Sequence, residues 1–406
     1  MKKIPKLRFK EFTEEWEEKR LGEIFKFSQG LQVDIENQFL IKTSTRERFI
    51  RIIDITQKIN EIRYVEKISN NYMVNIDDIF IVRYGASVGT IGFGYHGIIA
   101  NNLFKLIKLD ENIFSKFFYF QFNTEKFKNN LLQTSSSTSM PALNFKGINK
   151  INVCLSTLQE QEKIADFLSS VDKKISLTEE KLELFKNYKK GIMQKIFSQK
   201  LRFKDENGND YPEWEEKKLG DISKLIDGDR GKNYPSEKDI KKAGKLFLST
   251  SNFFNNRLVF NKNDKFISED KFNQLIKGQV IKEDLIITLR GSIGNVVLFE
   301  NNFYETAFIN AQMMIIRPIK INKYFLYFLL LTSKNQRLLN NMSSGSAQPQ
   351  LTKKDLNNFL LKIPNFKEQE KIANFLSSID EKIEKIENKL ENLKEFKKGL
   401  LQQMFI

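Results

Sequence analysis

Two mixed α+β domains joined by a pair of long antiparallel helices is the architecture this sequence predicts. Three observations carry that expectation. A segment of 39 residues is written twice at an offset of 208, and apolar residues recur every three or four positions along both copies. The stretches that precede each copy hold strand-and-turn patterns instead. The expected order is a first domain over residues 1–158, a helix over 159–198, a second domain over 199–366 and a second helix over 367–406. The length of 406 residues suits two or three domains, each able to bury its own core.

A leader opens each domain. Leu7, Arg8, Phe9, Lys10 and then Trp16 to Gly22 are echoed by Leu201, Arg202, Phe203, Lys204 and then Trp214 to Gly220. Each domain next offers an acidic turn, a β-branched strand, an arginine and a Gly–Ser–Gly cluster. In the first these are Arg83, Tyr84, Gly85, Ser87 and Gly89, and in the second Arg290, Gly291, Ser292 and Gly294. Glycines permit close backbone approach, arginine pairs with phosphate or guanine, and serine adds a short donor. The bland reading is a strand that ends in a tight turn with a surface arginine. Duplication on a basic scaffold sets the two readings level.

Polar loops precede each repeated segment: Ser135, Ser136 and Ser137 in the first domain, Ser343, Ser344, Gly345 and Gln348 in the second. Their hydroxyls and amides suit phosphates or base edges, although a solvated linker has the same composition. The aromatic runs Phe117 to Phe120 and Tyr324 to Phe328 read as helical core. Gly92, Gly94 and Gly97 match a dinucleotide-binding spacing, but a turn and strand follow where that fingerprint needs a helix. His96, in that turn, is read as a loop residue.

The repeated segments are identical at about 23 of 39 positions. Their apolar seam runs through Ile164, Leu168, Val171, Ile175, Leu182, Phe185, Tyr188, Ile192 and Ile196 in the first copy. In the second it runs through Ile372, Leu376, Ile379, Ile383, Ile386, Leu390, Leu393, Leu400 and Met404. Thr178 is its polar intruder. Steps of three and four make a narrow coiled-coil stripe, and at 1.5 Å per residue each helix extends ~58 Å. The bland alternative packs each helix only on its own domain.

Lys and Arg number 66 against 51 acids, a formal charge of +15. The first repeated segment holds eight Lys against seven acids and the second eight against eight, so the excess belongs to the domains and their leaders. Such a balance favours a polyanionic partner. The apolar run from Tyr324 to Thr332 is about half the ~20 residues of a spanning helix, so no membrane role is expected and the chain reads as cytoplasmic. One Cys (Cys154) and one His (His96) exclude a disulfide framework and Cys-rich zinc sites. No P-loop, H-E-x-x-H or EF-hand pattern is present, so neither a catalytic residue nor a metal is expected.

The duplicated helices opening Glu160-Gln161-Glu162-Lys163-Ile164-Ala165 and Glu368-Gln369-Glu370-Lys371-Ile372-Ala373, the blocks after Arg83 and Arg290, and the Trp leaders resemble the specificity subunits of type I restriction–modification systems. That resemblance spans essentially the whole chain. It implies that each domain is a target recognition domain reading one half of a split sequence in double-stranded DNA. It also implies that the helix pair fixes the spacing and docks two methyltransferase subunits. S-adenosylmethionine would sit on those subunits, and ATP and Mg on added restriction–translocase subunits. Beside it stand a self-contained methyltransferase or nuclease with an unrecognised motif, and a coiled-coil adaptor with no DNA role.

Overall fold

The computed structural model describes residues 3–57, 61–135, 141–229, 231, 234–342 and 350–406. It divides into two units, Met1–Glu180 with Asn388–Ile406, and Lys181–Glu387. In the first unit an antiparallel sheet has the order Phe25–Gln29, Leu103–Lys108, Ile79–Val82, Ile91–Gly92. A second sheet has the order Arg63–Glu66, Arg46–Ile50, Gly97–Ile99, Met73–Val74, its middle pair parallel.

The second unit repeats both orders. One sheet runs Ser223–Asp227, Met313–Pro318, Leu285–Thr288, Val296–Leu298. The other runs Lys265–Ile267, Lys245–Leu248, Thr306–Ile309, Gln279–Ile281, again with a parallel middle pair. Its addition among the described residues is a hairpin of Phe253–Phe254 and Arg257–Leu258.

Ile79–Val82 and Leu285–Thr288 are apolar-rich runs because both of their faces are buried. Side chains alternate across a strand, so Ile79 and Ile81 join the core of Phe117 and Phe118, while Phe80 and Val82 join Ile50 and Ile99. Leu285 and Ile287 likewise meet Phe325, and Ile286 meets Leu246 and Leu248. The aromatic runs form the helices Ser115–Phe122 and Lys323–Leu330, the second capped by Asn322 Oδ1, which accepts from the Tyr324 and Phe325 amides at 3.0 Å. Each buried Phe contributes on the order of 2–3 kcal/mol.

The repeated segments are the helices Leu158–Phe197 and Phe366–Met404. In the first unit Lys397 pairs with Asp172 at 2.5 Å and Lys394 with Glu179 at 2.7 Å. The second unit pairs Lys189 with Asp380 at 2.6 Å and Lys186 with Glu387 at 2.8 Å, the same contacts carried along by the 208-residue repeat. Numbers rise on one helix as they fall on the other, so within each unit the helices are antiparallel. Ile164, Leu168 and Val171 are buried with Leu400 and Met404. Ile372, Leu376, Ile379 and Ile383 are buried with Ile196, and Leu182, Phe185 and Ile192 pack against them. Ile175, Ile386, Leu390 and Leu393 are half-buried. Thr178 is accommodated by donating to the Lys174 carbonyl at 2.7 Å.

Tyr188 corrects the expected seam. It is 52% exposed, and Lys189 turns inward beside it to meet Asp380. The step of three from Phe185 oversteps the helical face there. Phe405, just beyond the second helix, closes the first unit on Trp16 and Phe117 at 6.2 and 5.2 Å between rings. Phe197 closes the second on Trp214 and Phe325 at 6.3 and 5.7 Å.

Candidate nucleic-acid interface

Each unit locks its leader to its long helix through a buried carboxylate. Arg8 Nε and Nη2 donate to Glu160 at 2.7 and 2.8 Å, and Trp16 Nε1 donates to the same carboxylate at 3.1 Å. Arg202 grips Glu368 at 3.2 and 2.8 Å and also donates to the Pro212 carbonyl at 2.7 Å. Trp214 Nε1 is buried without a hydrogen-bond partner among the described residues. The fork-to-carboxylate bonds push both guanidinium pKa values up. Gln161 accepts from the Phe114 amide and Gln369 from the Asn322 amide, both at 2.9 Å, which ties the long helices to the aromatic ones. The repeated Glu–Gln pair is therefore a structural joint. Sequence reading found the pair but not this role, because its partners lie about 50 to 170 residues away.

On this frame the two predicted loops of each unit come together. In the first, the Leu143 amide donates to the Arg83 carbonyl at 3.0 Å, the Gly85 amide to the Pro141 carbonyl at 3.2 Å, and Tyr84 bridges Ala142. In the second, the Leu351 amide donates to the Leu289 carbonyl at 3.0 Å and Arg290 bridges Gln350. Gly85, Gly89, Gly291 and Gly294 all have positive φ, between +75° and +88°. A Cβ at Gly85 or Gly291 would meet no atom within 4 Å, and Gly291 is exposed. The Ser87 carbonyl accepts from Thr90 Oγ1 at 2.8 Å, and the Ser292 carbonyl accepts from Thr288 Oγ1. Ser135 Oγ donates back to the Leu132 carbonyl at 2.6 Å. Ser136, Ser137, Ser343, Ser344, Gly345 and Gln348 lie outside the described residues.

The register corrects the equivalence of the two arginines. The Arg83 amide donates to Asn102, and its carbonyl accepts from Leu143; the residue with the matching bonds, to Gln312 and from Leu351, is Leu289. Arg290 therefore matches Tyr84. One step along a strand reverses the face, so the two side chains meet different surroundings. Arg83 is half-buried, 4.1 Å over the Phe145 ring, and donates to Gln29. Arg290 is exposed and held by Gln350 Oε1 at 2.6 Å. Where the first unit has Gln29 and Phe145, the second has Asp227 and Lys353, which pair with each other at 3.6 Å.

Gly92 to Gly97 form a turn between two strands with no helix following, so no dinucleotide cradle is built there. Cys154 lies buried in a strand, and burial pushes its thiol pKa up. Among the described residues no group of three His, Cys, Asp or Glu could hold a metal, and no helix is long and apolar enough to cross a membrane.

The model of the type I restriction modification DNA specificity domain matches residues 13–187 and again 211–395. The chain is 25% identical over 403 residues to the type I restriction enzyme MjaVIII specificity subunit of Methanocaldococcus jannaschii, covering 96% of this chain and 91% of that protein. Among solved structures it is similar to the S subunit of a type I restriction–modification system from M. genitalium, with a TM-score of 0.63, 17% identity and 99% of each chain covered. A chain from a structure on complex assembly and conformational transition of the type I R-M system is similar at a TM-score of 0.55 and 17% identity, with 96% of this chain and 97% of that one covered. At those identities the two structures speak for the fold.

Proposed function

Because the chain belongs to the type I restriction–modification DNA specificity family, a family of recognition subunits rather than catalysts, we propose that it reads a bipartite sequence in double-stranded DNA. Residues 1–158 read one half and residues 199–366 the other. The helices over 159–198 and 367–406 set the gap and dock two methyltransferase subunits. Those subunits carry S-adenosylmethionine, and restriction–translocase subunits add ATP and Mg. The complex works in the cytoplasm, on DNA.

One observation carries this reading: the same frame occurs twice, and each copy presents a different tip. A structural repeat alone has no reason to vary Arg83 and Tyr84 against Leu289 and Arg290 while keeping Gly85 and Gly291, and Glu160 and Glu368, fixed. Two unlike half-sites supply that reason. Arg290 is the best-placed base contact, since its guanidinium is exposed at an open glycine turn. The +15 charge supplies the sequence-independent grip on phosphate.

Mapping N6-methyladenine in DNA from cells with and without this chain tests the proposal. A split motif that appears only with the chain is the expected result. Methylation by the purified chain alone would make it an enzyme and sink the recognition reading.

A further inference from the structure

We propose that Asn101 reads an adenine in the half-site of the first unit, with Gln32, Gln29 and Arg83 as positioning residues behind it; this rests on the DNA-reading function proposed above. A continuous relay leads to Asn101. Arg83 lies across the Phe145 ring at 4.1 Å and donates through Nη1 to Gln29 Oε1. Gln29 Nε2 donates to the Asn101 backbone carbonyl, and Asn101 Nδ2 donates to Gln32 Oε1. The two segments that carry the relay are clamped together. The Gly30 amide donates to Leu103 at 2.9 Å and the Leu31 amide to Ile99 at 2.8 Å. A Cβ on Gly30 would stand 2.2 Å from the Ala100 carbonyl oxygen, so only glycine permits this crossing.

The bond to Gln32 uses one Nδ2 hydrogen of the Asn101 amide. Oδ1 and the second Nδ2 hydrogen have no partner among the described residues, and both Asn101 and Gln32 are exposed. One acceptor and one donor side by side complement the N6 donor and N7 acceptor of adenine in the major groove. Arg83, anchored behind the relay, orients this amide rather than touching DNA. The second unit lacks the device: Ala311 stands at the position of Asn101, and Asp227 and Lys353 pair with each other. The adenine contact is therefore confined to one half-site.

The test maps the methylated motif in cells carrying the full chain as wild type, Asn101→Ala, Gln32→Ala or Arg83→Lys. Asn101→Ala should lower the preference for adenine at one position of one half-site by roughly ten- to a hundredfold, leaving the other half-site intact. Gln32→Ala and Arg83→Lys should relax the same position severalfold. An unchanged motif, a change at a position other than adenine, or changes in both halves would overturn the assignment. If a variant abolishes methylation, binding of the purified full chain to duplexes with single-base changes decides. Loss of discrimination at one adenine supports the assignment, and a uniform loss overturns it. A wild-type chain that yields no split motif and binds no duplex would instead overturn the DNA reading, and this inference with it.

Discussion

Arg83 and Arg290 stand one residue apart on the same frame, and that single step gives them different work. In the first unit the arginine turns onto Phe145 and Gln29, and Tyr84, half-buried, takes the position that matches Arg290. In the second, Leu289 is buried at 3% exposure and Arg290 stands outside. Conserving a fold twice does not conserve its surface chemistry. The frame fixes where a side chain leaves the strand, and the period of two decides whether it faces core or solvent.

The largest difference is expected at the carboxylate joints. Glu160→Ala strands a nearly buried Arg8 and removes the Trp16 bond, so it should destabilise the first unit by about 3–5 kcal/mol. Glu368→Ala should cost less, about 2–3 kcal/mol, because Arg202 is more exposed and keeps the Pro212 carbonyl. Denaturant melts of the two variants test the order. Equal losses would mean that the Trp16 bond and the deeper burial of Arg8 add nothing.

Glycine positions sharpen the contrast next. A Cβ at Gly30 meets backbone at 2.2 Å, whereas at its counterpart Gly228 the nearest backbone oxygen is 3.3 Å away. Gly30→Ala should cost about 2–3 kcal/mol and Gly228→Ala under ~1 kcal/mol. Arginine removal comes third, and there stability and binding should separate. Arg83→Ala should lower stability by about 1–2 kcal/mol through the lost Phe145 and Gln29 contacts. Arg290→Ala should leave stability within ~0.5 kcal/mol and weaken binding of its half-site by about 1–3 kcal/mol. Smallest of all, Tyr188→Ala on the exposed helix face should shift stability by less than ~0.5 kcal/mol.

Local and periodic features were legible in the sequence. The helices declared themselves through 3.6-residue spacing, the central strands through β-branched runs, and the order of parts through the repeat itself. Tyr188 was misplaced because an aromatic at a three-residue step looks like seam until its neighbour's ion pair is known. The Arg83–Arg290 equivalence failed for a related reason: matching residue types ignored strand register, which hydrogen bonds to Asn102 and Gln312 decide. Gln29 and Asn101 escaped notice because their relation to Arg83 is a crossing of distant segments. No spacing rule connects residues 29, 83, 101 and 145.

Exchanging residues 1–158 for the corresponding domain of a relative, followed by methylation mapping, tests the central claim most directly. Two copies of one frame that read independently predict a motif with one half-site replaced and the other unchanged. A motif in which both halves change together would contradict the account.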